Sequence, residues 1–166
     1  MTLFAEGGVG SVPRIFDTAS PGTSKEGDLD LGAPNKACPG GGPGHGEGGE
    51  PGQPGMNCSP KGNALIIQEP GTSVPDDNVD GGIITLDYPF PNGTYVKNIG
   101  LLDVDYGANI VVVYETASGS KEYTIAVPLL GDNAAQTVEI DQANVKWIKV
   151  VLERSGGVTD VTFCSL

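Results

Sequence analysis

Asn109-Ile-Val-Val-Val-Tyr-Glu-Thr116, followed by Ala117-Ser-Gly-Ser120 and then Lys121-Glu-Tyr-Thr-Ile-Ala-Val-Pro-Leu129, spells a strand, a turn and a second strand in residue types alone. β-Branched and aromatic side chains fill both runs, and the small residues between them stand where the chain must reverse. Six more runs of the same kind extend over Asn63 to Glu69, Gly82 to Tyr88, Thr94 to Asp105, Gln136 to Asp141, Val145 to Glu153 and Val158 to Phe163, with Gly131-Asp-Asn133 and Ser155-Gly-Gly157 among the separators. In Val145-Lys-Trp-Ile-Lys-Val-Val-Leu152, residues Ile148, Val150 and Leu152 share one face, while Trp147 falls on the other with Lys149. No helical period competes with these alternations. The pattern predicts an all-β, antiparallel β-sandwich close to a jelly roll, with Pro13 to Thr18 adding an N-terminal strand at one edge.

At 166 residues the chain has the length of a single domain, residues 1–166, large enough to bury a core. Between the N-terminal strand and the β-rich part lies a Gly/Pro-rich insertion, residues 39–60, which reads as a long surface loop. Its triplets Gly46-Glu-Gly, Gly49-Glu-Pro, Gly52-Gln-Pro and Gly55-Met-Asn resemble collagen but are too few for a triple helix. Cys38 and Cys58 bracket the loop and are expected to form a disulfide, which would stabilise by roughly 3 kcal/mol, with two free loop thiols as the alternative. Cys164, in an apolar run, is expected to be a buried free thiol. His45, the single histidine, sits among glycines and is expected to be solvated, since one histidine cannot by itself make a zinc site.

Twenty-one Asp and Glu against nine Lys and Arg give a net charge of −12, which argues against a nucleic acid partner because phosphate is held by cations. No stretch approaches the roughly 20 apolar residues of a membrane helix, so no membrane span is expected. The start, Met1-Thr-Leu-Phe, lacks the basic and apolar regions of a leader, which we read as an exported chain whose leader has been removed. An extracellular or cell-surface location fits both the cysteine pair and a role for calcium.

The acids are clustered. Asp28-Leu-Asp30-Leu-Gly32 and Asp103-Val-Asp105-Tyr-Gly107 both read D-x-D-x-G. In an extended segment alternate residues share a face, with α-carbons about 6.6 Å apart, so each pair can converge on one hard cation. The expected site joins the two pairs, with Asp17 nearby. A third pattern, Asp76, Asn78 and Asp80 before Gly81 with Asp87 at the twelfth position, has the spacing of a calcium loop but not its helices, and reads equally as a polar turn. Calcium is the cofactor these patterns imply. A solvated acidic surface is the plainer alternative.

For a glycan or matrix polysaccharide, Trp147 is the best stacking surface, with Tyr88 and Tyr106 beside acidic segments as further candidates. The plainer reading of Trp147, and the favoured one, is a partly buried Trp covering a sheet edge. Asn92-Gly-Thr94 is an acceptor sequence for N-glycosylation. The chain has no nucleophile–histidine pair, zinc-protease motif or phosphate loop, so no catalytic residue is assigned and no enzyme is expected.

Ile15-Phe-Asp-Thr18, Asp28-Leu-Asp-Leu-Gly-Ala-Pro-Asn35, Gly62-Asn-Ala-Leu-Ile-Ile-Gln-Glu69, Ile99-Gly-Leu-Leu-Asp-Val-Asp105 and Ser155-Gly-Gly-Val-Thr-Asp-Val-Thr-Phe163 together resemble strings found in exported microbial β-sandwich modules. These include surface proteins with PEP-CTERM anchors, and their general form is similar to galactose-binding-like and carbohydrate-binding jelly rolls. The resemblance implies calcium in a structural or ligand-bridging role and attachment to glycans or matrix. It leaves two functions open: a calcium-dependent carbohydrate-binding or adhesion module, or a calcium-stabilised structural domain of a larger exported protein.

Overall fold

The computed structural model describes every residue except 8, 9, 24–26 and 92, and describes the backbone alone at Leu3 and Ala5. Ten strands follow one another: β1 (Thr2–Glu6), β2 (Pro13–Asp17), β3 (Asn63–Ile67), β4 (Gly82–Asp87), β5 (Thr94–Leu102), β6 (Ala108–Thr116), β7 (Gly119–Ala126), β8 (Ala135–Gln142), β9 (Val145–Leu152) and β10 (Gly157–Ser165). Among the described residues there is no helix, and so none long and apolar enough to cross a membrane.

One antiparallel sheet has the order β1-β4-β9-β6-β7 and the other β2-β3-β10-β5-β8. Within them β3 to β10 form two four-stranded halves, β3-β10-β5-β8 and β4-β9-β6-β7, in which successive strands alternate between sheets except at the β6–β7 hairpin, and the last lies beside the first. This is a jelly roll. β1 pairs with β4 and β2 with β3, each lengthening one sheet at its outer edge.

The period-2 alternation places the core between the sheets. Ile84 and Leu86, Ile110 and Val112, and Ile148 and Val150 of the first sheet face Val96, Ile99, Leu101, Val138 and Ile140 of the second. β9 has the orientation its sequence predicts, with Ile148 and Val150 wholly buried and Trp147 half-buried on the other face. β3 is buried on both faces for a different reason. Phe16 of β2, Leu31 from the β2–β3 connection, Ala64, Ile66, Leu102 and Ala135 make a second small core, so that connection lies over the outer side of the second sheet.

Cys38 and Cys58 are disulfide-bonded, with α-carbons 5.3 Å apart. The loop they close is not a loose surface excursion. Gly48, Gly49 and Gly55 are buried, and its backbone runs against the β7–β8 connection without a side chain between them. A Cβ on Gly46 would stand 2.5 Å from the carbonyl oxygen of Asp132, and one on Gly48 2.5 Å from that of Leu130. Glycine is therefore required here by close approach, not by flexibility. Replacing both cysteines by serine is expected to lower stability by roughly 3 kcal/mol, read from urea unfolding with the slope fitted separately, since the unfolded chain without its cross-link exposes more surface.

Cys164 is exposed, a correction to its expected burial. On β10 the neighbouring Phe163 turns toward Tyr88, with ring centroids 5.4 Å apart, and alternation sends Cys164 to the opposite face. The acceptor Asn92 lies outside the described residues.

Candidate metal centre

In the second sheet β3 and β5 run one way, β8 and β10 the other. The connections β3–β4, β5–β6, β7–β8 and β9–β10 therefore all emerge at the same end of the sandwich. They carry, in turn, Asp76 and Asp77, Asp103 and Asp105, Asp132 and Asn133, and Ser155 and Gly156. The β2–β3 connection adds Asp28 and Asp30.

Two groups of carboxylates result: Asp28 with Asp76 and Asp77, and Asp30 with Asp103 and Asp132, each with one oxygen per residue within 4.8 Å of the others. Two oxygens on opposite sides of a calcium ion are separated by about 4.8 Å, so each set can close on one ion. Every donor is a carboxylate oxygen and neither set contains nitrogen or sulfur. That chemistry suits calcium and not zinc.

Asp77 and Asp103 are the deepest members, 8% and 4% exposed. Asp103 follows the end of β5 in the left-handed conformation, φ 60°, and accepts the Asn133 amide at 2.6 Å. Asp77 accepts the Gly156 amide. Burial, then the neighbouring Asp28 for Asp77 and Asp77 itself for Asp103, holds both carboxyls well above the usual range. Asp30 is pushed up to about 6, first by burial and then by Asp132, Asp28 and Asp105. Asp76, Asp105 and Asp132 are also raised, burial leading in each. Arg154 acts the other way on Asp105, lowering it. Clefts of about 530 Å³, bordered by Asp28, Asp30, Glu69, Asp76 and Asp77, and about 470 Å³, bordered by Glu47, Gln53, Leu130 and Asp132, open at this end.

The sequence patterns are thus brought together in part and divided in part. Asp28 and Asp30 fall into different groups, because Asp28 Oδ1 accepts the Asp30 amide at 3.2 Å in a turn where the segment is not extended. Asp105 acts electrostatically on Asp30 but belongs to neither group. Asp17 ends β2 opposite Asn63, at the start of β3 and away from the loops that follow it, and accepts the Ala19 amide at 3.0 Å. The pattern from Asp76 to Asp87 does not form one loop around an ion. Asn78 donates to Gly81 O at 2.8 Å, Asp80 is exposed, and Asp87 stands at the far end of β4, paired with Trp147.

Trp147 and Tyr88 are also at that far end. Tyr88 is 2% exposed and offers no stacking face, while Trp147 is half-buried beneath Lys149, whose Nζ is 5.0 Å from the ring centre. Tyr106 is the aromatic that the fold delivers to the acidic end, 53% exposed with Arg154 stacked at 4.6 Å. His45 is half-buried, and its amide donates to Leu29 O at 2.9 Å.

Asp77 and Asp132 escaped the motif reading because neither occupies a patterned position. The signal that finds them is topological: acids in the four connections of a jelly roll that share an end pool there.

No protein-family model matches the chain, and no curated protein is similar to it. Among solved structures, the enzymatically active domain of tailspike protein 4 from bacteriophage CBA120 is similar at a TM-score of 0.37 and 10% identity, over 99% of this chain. The chain spans 19% of that one.

Proposed function

We propose that this chain is a calcium-binding module of an exported protein, and that its calcium-bearing end binds a glycan. The observation that carries the calcium reading is the pair Asp77 and Asp103. Both are more than nine-tenths buried, both belong to a carboxylate group, and in both burial and neighbouring acids raise the carboxyl. An ionised carboxylate is costly to bury without a counter-charge, and a divalent ion supplies one to several acids at once. The disulfide is the kind of bond that persists outside the cytosol.

Glycan binding is favoured by the open polar clefts beside both groups and by the exposed ring of Tyr106. Sugar hydroxyls can complete the oxygen shell of a calcium ion while an aromatic face takes the C–H side. The structural reading keeps one observation of its own: the acids come from separate connections, so an ion clamps the β2–β3 segment to the sandwich. A glycan array probed with calcium and with EDTA separates the two. Binding lost in chelator supports the module. Silence on a broad array, from a protein that binds calcium in calorimetry, leaves the clamp alone.

A further inference from the structure

Asn133 stands between the disulfide-closed loop and the acidic end, wholly buried and in the left-handed conformation, φ 59°. Its backbone N–H donates to Asp103 Oδ1 at 2.6 Å. Its Nδ2 donates to the main-chain oxygens of Asp30 at 2.5 Å and Gly32 at 2.8 Å. Its Oδ1 accepts from Asn35 Nδ2 at 2.7 Å and from Asn57 Nδ2 at 3.3 Å. The donors of one amide thus hold the backbone of the acidic segment, and its acceptor is held by Asn35 just before the loop and Asn57 at its end.

Asn35 and Asn57 are wholly buried and lie beside the two bonded cysteines. The Asn35 amide donates to Asn57 O at 2.7 Å, closing the base of the loop, and Asn35 Nδ2 also donates to Gly46 O at 2.8 Å. A Cβ on Gly49 would stand 2.5 Å from both Asn133 O and Asn133 Oδ1. Gly49 therefore packs against Asn133 with no space for a side chain of its own, and every polar atom of the Asn133 amide is committed.

We propose that the 38–58 loop is the backing of the metal centre and that Asn133 is its positioning residue, fixing where Asp30 and Asp103 present their carboxylates. The proposal rests on the calcium reading above. Groups that orient metal ligands by hydrogen bonding typically cost 10–100-fold in affinity when removed. The loop's glycines and its disulfide then serve placement as well as stability, since both hold Asn35 and Asn57 against Asn133.

The test is calcium calorimetry, with terbium(III) luminescence lifetimes in H₂O and D₂O to count waters on the bound ion. Asn133→Gly keeps the left-handed backbone and the amide to Asp103 but removes the side chain; affinity is expected to fall about 10–100-fold, with more water on bound terbium. Asn35→Asp turns an oxygen toward Asn133 Oδ1 and Gly46 O, keeps the acceptor used by Ala37, and serves if Asn133→Gly does not fold. Met56→Ala, exposed on the same loop, is expected to change neither quantity. A wild-type protein that binds no calcium sinks the calcium reading. Calcium binding that is equally tight in folded Asn133→Gly or Asn35→Asp overturns the positioning role alone, and so does weakened binding with terbium hydration unchanged.

Discussion

Calcium at a hundred times its dissociation constant is expected to raise the melting temperature by about 5–10 °C over the same protein in excess EDTA. An ion that binds the folded chain alone contributes RT ln(1 + [L]/Kd), about 2.7 kcal/mol at that ratio. For a domain of this size each kcal/mol moves the midpoint by roughly 2–4 °C. The unfolded chain has no comparable site, because the acids are assembled from Asp28 and Asp30 in one connection, Asp76 and Asp77 in another, and Asp103 and Asp132 in two more. Magnesium is expected to do less, since it demands near-octahedral geometry and gives up its waters reluctantly. Differential scanning calorimetry with calcium, magnesium and EDTA reads all three. Coincident curves with calcium and EDTA would reduce the acidic end to solvated surface charge.

The fold was legible because β-sheet packing writes itself as alternation. Each run from Asn63 onward becomes one of β3 to β10, and β9 faces the way its apolar residues require. β1 was not found: Thr2–Glu6 is short, and its place is set by pairing with β4, a partner about 80 residues away. The site was half legible for a related reason. Local spacing marks acids that lie close in the chain, and it named Asp28, Asp30, Asp76 and Asp103. It placed Asp28 with Asp30, and Asp103 with Asp105, on the assumption of an extended backbone, which the turn at Asp28 and the left-handed Asp103 break. The glycine-rich loop misled for a third reason. Composition cannot separate a glycine that confers freedom from one such as Gly48, whose missing side chain admits a neighbouring backbone.

In EDTA the protein is expected to melt lower at pH 7.5 than at pH 5, the reverse of a domain whose carboxylates are salt-bridged. Asp30, Asp77 and Asp103 all have folded pKa values above the ordinary 3.8, Asp30 at about 6 and the two buried ones well raised. Below 3.8 these groups are protonated in both states and add no pH-dependent term. Between 3.8 and the folded value the native state holds the more protons, so stability falls as pH rises through that window and is lowest above it. Calcium inverts the slope, because protons and the ion compete for the same oxygens. Asp77→Asn separates the two effects. The amide keeps an oxygen for the Gly156 N–H and removes a charge buried beside Asp28, so the variant in EDTA is expected to melt higher at pH 7.5, by about 2–4 °C for each kcal/mol recovered. Its response to calcium should shrink, because the ion loses its most buried ligand in that group. A variant that melts lower than wild type in EDTA and still responds fully to calcium would show that Asp77 is a structural acceptor for Gly156 and no part of a metal centre.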